Sequence, residues 1–136
     1  MKKILRKYFL PIFAGAVLQH AIYHSLIFIT HHINSLQNET TGNFPLGITP
    51  WYDVLLSVAP GFFAGALSQE RPMLNGFFAA FIGQSTILFF YLGLADAGVI
   101  TDQLVFSIRT GVFGLVSGAA GFMCVRALTT QSRRPP

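Results

Sequence analysis

Acidic residues are scarce in this chain: five Asp and Glu stand against nine Lys and Arg in 136 residues, and only 10% of the chain is charged. Ordinary soluble proteins carry about 25%, so there are too few charges here to wet a globular surface. Cysteine is almost absent. Cys124 stands alone, which excludes an internal disulfide framework, a CxxC pair and a thiolate metal cluster. Its place near the end of the last apolar segment leads us to expect a reduced, buried thiol. A serine nucleophile elbow, an acid pair and a phosphate-cradling glycine loop are all missing as well, so no catalytic motif stands out. The length leaves room for one domain, 1–136, with nothing appended.

What the chain has in abundance is apolar. Hydrophobic residues make up 52% of it, with fourteen Phe and thirteen Gly, and they come in blocks rather than scattered. Four blocks stand out, at about 8–33, 51–69, 73–95 and 104–128. Each is near or above the roughly 20 residues that a helix needs to cross a hydrocarbon core. Lipid offers no partner to unpaired backbone groups, and these blocks lack the alternation of barrel strands, so helices are the expected form. The fold class expected is therefore all-α: a polytopic membrane protein, a four-helix transmembrane bundle with short loops and antiparallel neighbours. Its opening resembles a secretory signal, basic and then apolar before Ala14-Gly15-Ala16. The apolar character resumes through Ile22 to Ile33, so we read a retained first span.

The net charge of +4 is not a nucleic-acid footprint, because the basic residues occupy the ends and no basic face interleaved with aromatics exists. Lys2, Lys3, Arg6 and Lys7 precede the first block, and Arg126, Arg133 and Arg134 close the chain. Cytoplasmic flanks carry such a bias. Both termini are accordingly expected inside, in the cytoplasmic membrane of a bacterium. The stretches Asn34–Pro50 and Asp96–Gln103 are then outer loops, and Gln69–Pro72 is an inner turn. The outer side holds Glu39, Asp53, Asp96 and Asp102, with Arg109 its one cation. Trp51 and Tyr52 suit the outer interface and Tyr8 the inner one. Pro60 in the second block removes a backbone donor and predicts a kink.

Small residues mark where helices approach. Gly61 and Gly65 form one GxxxG pair, Gly114 and Gly118 another, and Gly111 and Gly121 extend the latter. Close backbone approach is the main source of attraction between helices in lipid. We expect these faces to pack within the bundle, with a seam for a second subunit as the alternative. A faint likeness between 60–65 and 74–80, both containing Gly-Phe-Phe-Ala, establishes no repeat.

All four histidines fall in the first block: His20, His24, His31 and His32. At about 100° per residue, His24 lies about 40° and His31 about 20° from His20. The three form a narrow stripe from mid-membrane to the outer surface, continued by Phe13, Ala16 and Ile27, while His32 points elsewhere. Gln19 and Tyr23 flank it, and Gln84, Ser85, Ser57 and Ser117 lie at similar depth on the other blocks. A buried ring of hydrogen-bonding groups is the structural expectation. The functional one is a proton-relaying or solute pathway, since histidine titrates near neutral pH and polar groups at membrane depth often mark pathways. His20 and His24 also have the i, i+4 spacing of two metal ligands. Further ligands are wanting, so no haem or metal is predicted, although either remains an alternative. At the outer mouth, His32, Asp53, Asp102 and Arg109 form either a cation-collecting vestibule or a set of interfacial charges, with Arg109 paired or reaching headgroups. Asn38-Glu39-Thr40 matches a glycosylation acceptor.

Arg71-Pro72-Met73-Leu74-Asn75 distantly resembles the Arg and Asn of the membrane-associated glutathione transferases, but their glutamate falls on Phe78 and the rest of their site is missing. The chain also lacks the filter motif of small fluoride channels and the first-span glutamate of small multidrug exporters. No family is assigned. The function expected is that of a non-catalytic accessory or scaffold subunit in the lipid bilayer, packing through its glycine-rich helix faces, with other membrane subunits or self-association as possible partners. The alternatives are a homo-oligomeric channel or carrier with a His-lined pathway and a haem- or metal-binding subunit.

Overall fold

The computed structural model describes the chain over residues 5–36, 49–92 and 97–131. A π-helical turn, Leu5–Phe9, runs into α1 (Leu10–Leu36); α2 (Thr49–Leu67), α3 (Pro72–Leu92) and α4 (Ala97–Gln131) follow, and the described residues contain no strand. All four expected helices form, with shifted ends. The stretch expected to be an acidic outer loop, 96–103, is helical from Ala97 onward, and α1 runs three residues past Ile33. Hydropathy ends where lipid would end, whereas helical hydrogen bonding continues for as long as the local sequence tolerates it. The glycosylation pattern at 38–40 and Asp96 lie outside the described residues.

Two stretches are long and apolar enough to cross a membrane, Lys7–Ile29 and Leu104–Thr130; Val54–Leu67 is apolar but shorter. Pro60 sits inside an unbroken α2. The register of contacts gives an up-down-up-down course. α1 runs parallel to α3, since Gly15 meets Ala79 and Gln19 meets Gln84. α2 runs parallel to α4, since Gly61 meets Gly114 and Gly65 meets Gly118. α2 and α3 pack on each other; α1 packs against both, and so does α4.

The glycine pairs close this arrangement from within. A Cβ on Gly61 would lie 2.5 Å from the Cα of Gly114, and one on Gly65 would run into the backbone of Gly118. From the other side, a Cβ on Gly118 would meet the Pro72 carbonyl at 2.6 Å and one on Gly114 the Ala80 methyl at 2.6 Å. Gly111 receives the Phe77 ring, and Gly121 abuts the carbonyl of Phe62. α4 is thus wedged against two helices at backbone contact. Gly15 plays the same part for α1, where a Cβ would stand 2.6 Å from the Pro60 carbonyl and 2.7 Å from the Ala79 methyl.

Burial is inverted relative to a protein in water. Among the described residues the buried hydrophobic side chains are Leu56, Ala64, Ala79, Ala80 and Ile87, whereas Gln19, Ser68, Asn75, Gln84, Ser107, Thr110 and Ser117 are buried polar ones. Large apolar side chains instead cover the outside, among them Phe13, Phe28, Phe62, Phe63, Phe78, Phe89 and Phe113. Cys124 is exposed, contrary to the buried thiol expected: it falls in the run 123–130 of α4, which is exposed throughout.

Candidate functional site

Two polar clusters tie α1 to the rest of the chain. The first lies at its start. Pro11 has no N–H, so the Lys7 carbonyl, four residues earlier, cannot make its helical bond, and the chain adopts a π-turn there. The Asn75 amide donates to that carbonyl at 3.3 Å, to the Ser68 hydroxyl at 2.8 Å and to the Glu70 carbonyl at 3.4 Å. Ser68 in turn donates to the Ala64 carbonyl at 2.7 Å. Asn75 is only 2% exposed, so these bonds satisfy groups that would otherwise be costly to bury. Above them, Lys7 forms an ion pair with Glu70, and the Tyr8 hydroxyl donates to the same carboxylate at 3.4 Å. The Lys7 ammonium, hydrogen-bonded to it, holds the Glu70 carboxyl below its usual range. Arg71, with φ of 52°, takes the left-handed conformation that ends the turn before Pro72 opens α3.

The second cluster lies midway along α1. Pro11, Gly15 and Gln19 are its buried positions among the described residues, one helical turn apart. The Gln19 amide donates to Gln84 Oε1 at 3.0 Å, with the two side chains 0% and 4% exposed. Gln19 Oε1 packs against Gly83, where a Cβ would collide with it, and this oxygen has no hydrogen-bond partner. Buried carbonyl oxygens are costly to leave unpaired. Beside this pair, the Thr86 hydroxyl lies 2.9 Å from the carbonyls of both Ile82 and Gly83 and shares a hydrogen bond with His20 Nε2 at 2.7 Å.

The histidine stripe is therefore rotated away from the centre. His20 is half-buried, whereas His24, Phe13 and Ile27 are exposed. The His20 and His24 rings stack with centroids 6.4 Å apart, and Tyr23 meets His24 edge-on at 5.8 Å. The side chains of His31, His32, Asp53, Asp102, Trp51 and Tyr52 lie outside the described ones. Among the described residues no group of three His, Cys, Asp or Glu stands ready for a metal. The expected ring of polar groups is only half assembled. Gln19 and Gln84 meet, while Ser117 bonds within its own helix to the Gly114 carbonyl at 3.2 Å and Ser57 lines a cleft between α2 and α4.

Asn75, Ser68, Thr86 and Gly83 are working residues that polarity and depth alone did not single out. A signal was present for the glutamine pair: Phe13-Ala14-Gly15 with Gln19 and Phe78-Ala79-Ala80 with Gln84 share one spacing, and they fall side by side on the parallel helices. No protein-family model, curated protein or solved structure matches the chain.

Proposed function

We infer that this is a small integral membrane protein with four spans and both ends on the cytoplasmic side, serving as a non-catalytic membrane subunit. The observation that carries the membrane reading is the inverted burial: phenylalanine, leucine and valine outside, amides, hydroxyls and glycine inside. Water penalises such a surface, whereas hydrocarbon accepts it and demands that polar groups be turned inward. α2 and α3 cross with α1 and α4 because they are packed between them at backbone distance. The asymmetry of lysine and arginine at the two ends supports the orientation.

The subunit reading draws on what the bundle leaves exposed. The glycine faces are used up inside the chain, so a partner would meet another surface. The stripe of α1 is the strongest choice, since it carries His24 among Phe13, Ile27 and Phe28, the last 73% exposed. A histidine at membrane depth is rare on a lipid-facing surface. One observation favours a second reading, a homo-oligomeric carrier. The stacked His20 and His24 lie at the edge of the chain, so a path along them would form between copies.

Native mass spectrometry of the protein gently extracted from its own membrane tests both. A stoichiometric complex with an unrelated subunit supports the accessory role, provided that a cysteine at Phe28, in a Cys124→Ser background, crosslinks to that subunit. A defined homo-oligomer crosslinked through the same position transfers the assignment to the carrier. A strictly monomeric protein contradicts both.

A further inference from the structure

A cleft lies between α2 and α4, with no residue of α1 in its described lining. It is about 210 Å³, opens sideways, and is lined by Val54, Ser57, Val58, Phe106, Arg109, Thr110 and Phe113. Small-molecule pockets run to roughly 300–1,000 Å³, so this one suits something slim that continues beyond the protein. Its walls are aliphatic and aromatic, and Ser57 and Thr110 add hydroxyls. The Thr110 hydroxyl is committed to the Phe106 carbonyl at 3.0 Å. Among the described residues Arg109 is the only charge in the lining. Its guanidinium stands 6.0 Å from the centre of the Phe113 ring, and the ion pair among the described residues, Lys7–Glu70, is elsewhere.

The position of Arg109 adds to this. It is separated from Arg126 by a rise of about 26 Å along α4, close to the thickness of a hydrocarbon core. Arg126, stacked on the Phe122 ring at 4.4 Å, marks the inner boundary, and Arg109 then falls at the outer one, where phosphates lie. An apolar slot with a single cation at headgroup depth is complementary to an amphiphile with one negative charge. A bidentate guanidinium–phosphate contact is the geometry arginine favours.

We propose that the cleft between α2 and α4 binds an anionic phospholipid of the outer leaflet, with Arg109 on its phosphate and one acyl chain along Val54, Val58, Phe106 and Phe113. A zwitterionic lipid has the same phosphate, but its own ammonium competes for it. The preference is therefore for net negative headgroups. This assignment rests on the membrane reading above. Resistance of the protein to alkaline carbonate extraction checks that reading separately, before any lipid is added.

The test is native mass spectrometry of the detergent-purified protein, offered equal amounts of phosphatidylglycerol and phosphatidylcholine with identical acyl chains. The expected result is a several-fold excess of phosphatidylglycerol adducts. Arg109→Gln should abolish the preference, Arg109→Lys should retain most of it, and Arg126→Gln should leave it intact. Val58→Trp, which fills the slot, should lower retention of both lipids. Equal retention by the native chain, or a preference that survives Arg109→Gln, overturns the proposal. Displacement of the lipid by millimolar inorganic phosphate also overturns it, because the site would then read the anion and not the amphiphile.

Discussion

The two ends of the packing scheme use different physics. Where α4 meets α2 and α3, the contact is backbone on backbone: Gly61, Gly65, Gly76, Gly114 and Gly118 leave no room for even a methyl group. Where α1 meets the same two helices, Gly15 makes the only comparable approach among the described residues, beside side-chain hydrogen bonds: Gln19 to Gln84, His20 to Thr86, Asn75 to the Lys7 carbonyl. The glycine seam has no slack, because backbone cannot rotate out of the way. The amide contacts involve rotatable side chains, and each contributes little beyond the cost of leaving its partner unsatisfied. From these contacts we expect α1, which also carries the exposed histidine face, to be fastened more loosely than α4.

The sharpest way to break the comparison is to put bulk into the seam. Gly65→Leu and Gly118→Val force backbones apart, and overpacking in a tight interface costs about 1–3 kcal/mol and sometimes more. We expect loss of the folded protein from detergent extracts, read by size-exclusion chromatography. Next comes the glutamine pair. Gln19→Leu strands Gln84 in the interior at a cost of about 1–3 kcal/mol. The double change Gln19→Leu with Gln84→Leu should recover most of that, since an interhelical bond between polar side chains contributes only about 0.6 kcal/mol on average. A double-mutant cycle on thermal unfolding in detergent measures this. Gly83→Ala, which removes the room for the Gln19 carbonyl, should behave like Gln19→Leu.

Smaller again is Asn75→Ala, which leaves the Lys7 carbonyl without a donor and should cost about 1 kcal/mol, with greater hydrogen exchange at the start of α1 than in α4. The smallest effect is electrostatic. Because Lys7 depresses the folded-state Glu70 carboxyl, this contact stabilises the fold above the ordinary carboxylate value and is lost as pH falls through the depressed one. The melting temperature of the native chain should drop slightly more than that of Glu70→Gln across this acidic window, and no more than that of Glu70→Gln above it.

The sequence revealed more of the fold than of the site. Blocks of apolar residues predicted four helices, and the GxxxG pairs predicted packing inside the chain, because both signals are local. The rotation of α1 was not legible. Polarity points to His20, His24 and His31 as the inward face, but in a uniformly apolar helix the inward face is set by what fits. On α1 that is Pro11, Gly15 and Gln19. Asn75 stood out only through a distant family resemblance, and its structural role did not, because the carbonyl it serves is orphaned by a proline on another helix, a relation that appears only when the two are brought together. The start of α4 was misjudged for a simpler reason: Asp102 and Gln103 look like a loop, yet helical hydrogen bonding continues past the edge of an apolar run.

The measurement that bears most directly on the account is the side of the membrane on which the α2–α3 turn lies. With Cys124 replaced by serine and a single cysteine placed at Gln69, a membrane-impermeant maleimide added to intact cells should leave the protein unlabelled, and label it fully once the membrane is disrupted. A control cysteine at Phe44 should be labelled in intact cells. Labelling of both positions from outside would mean that α2 and α3 do not cross, and the four-span bundle with its buried glutamine pair at mid-membrane would be wrong.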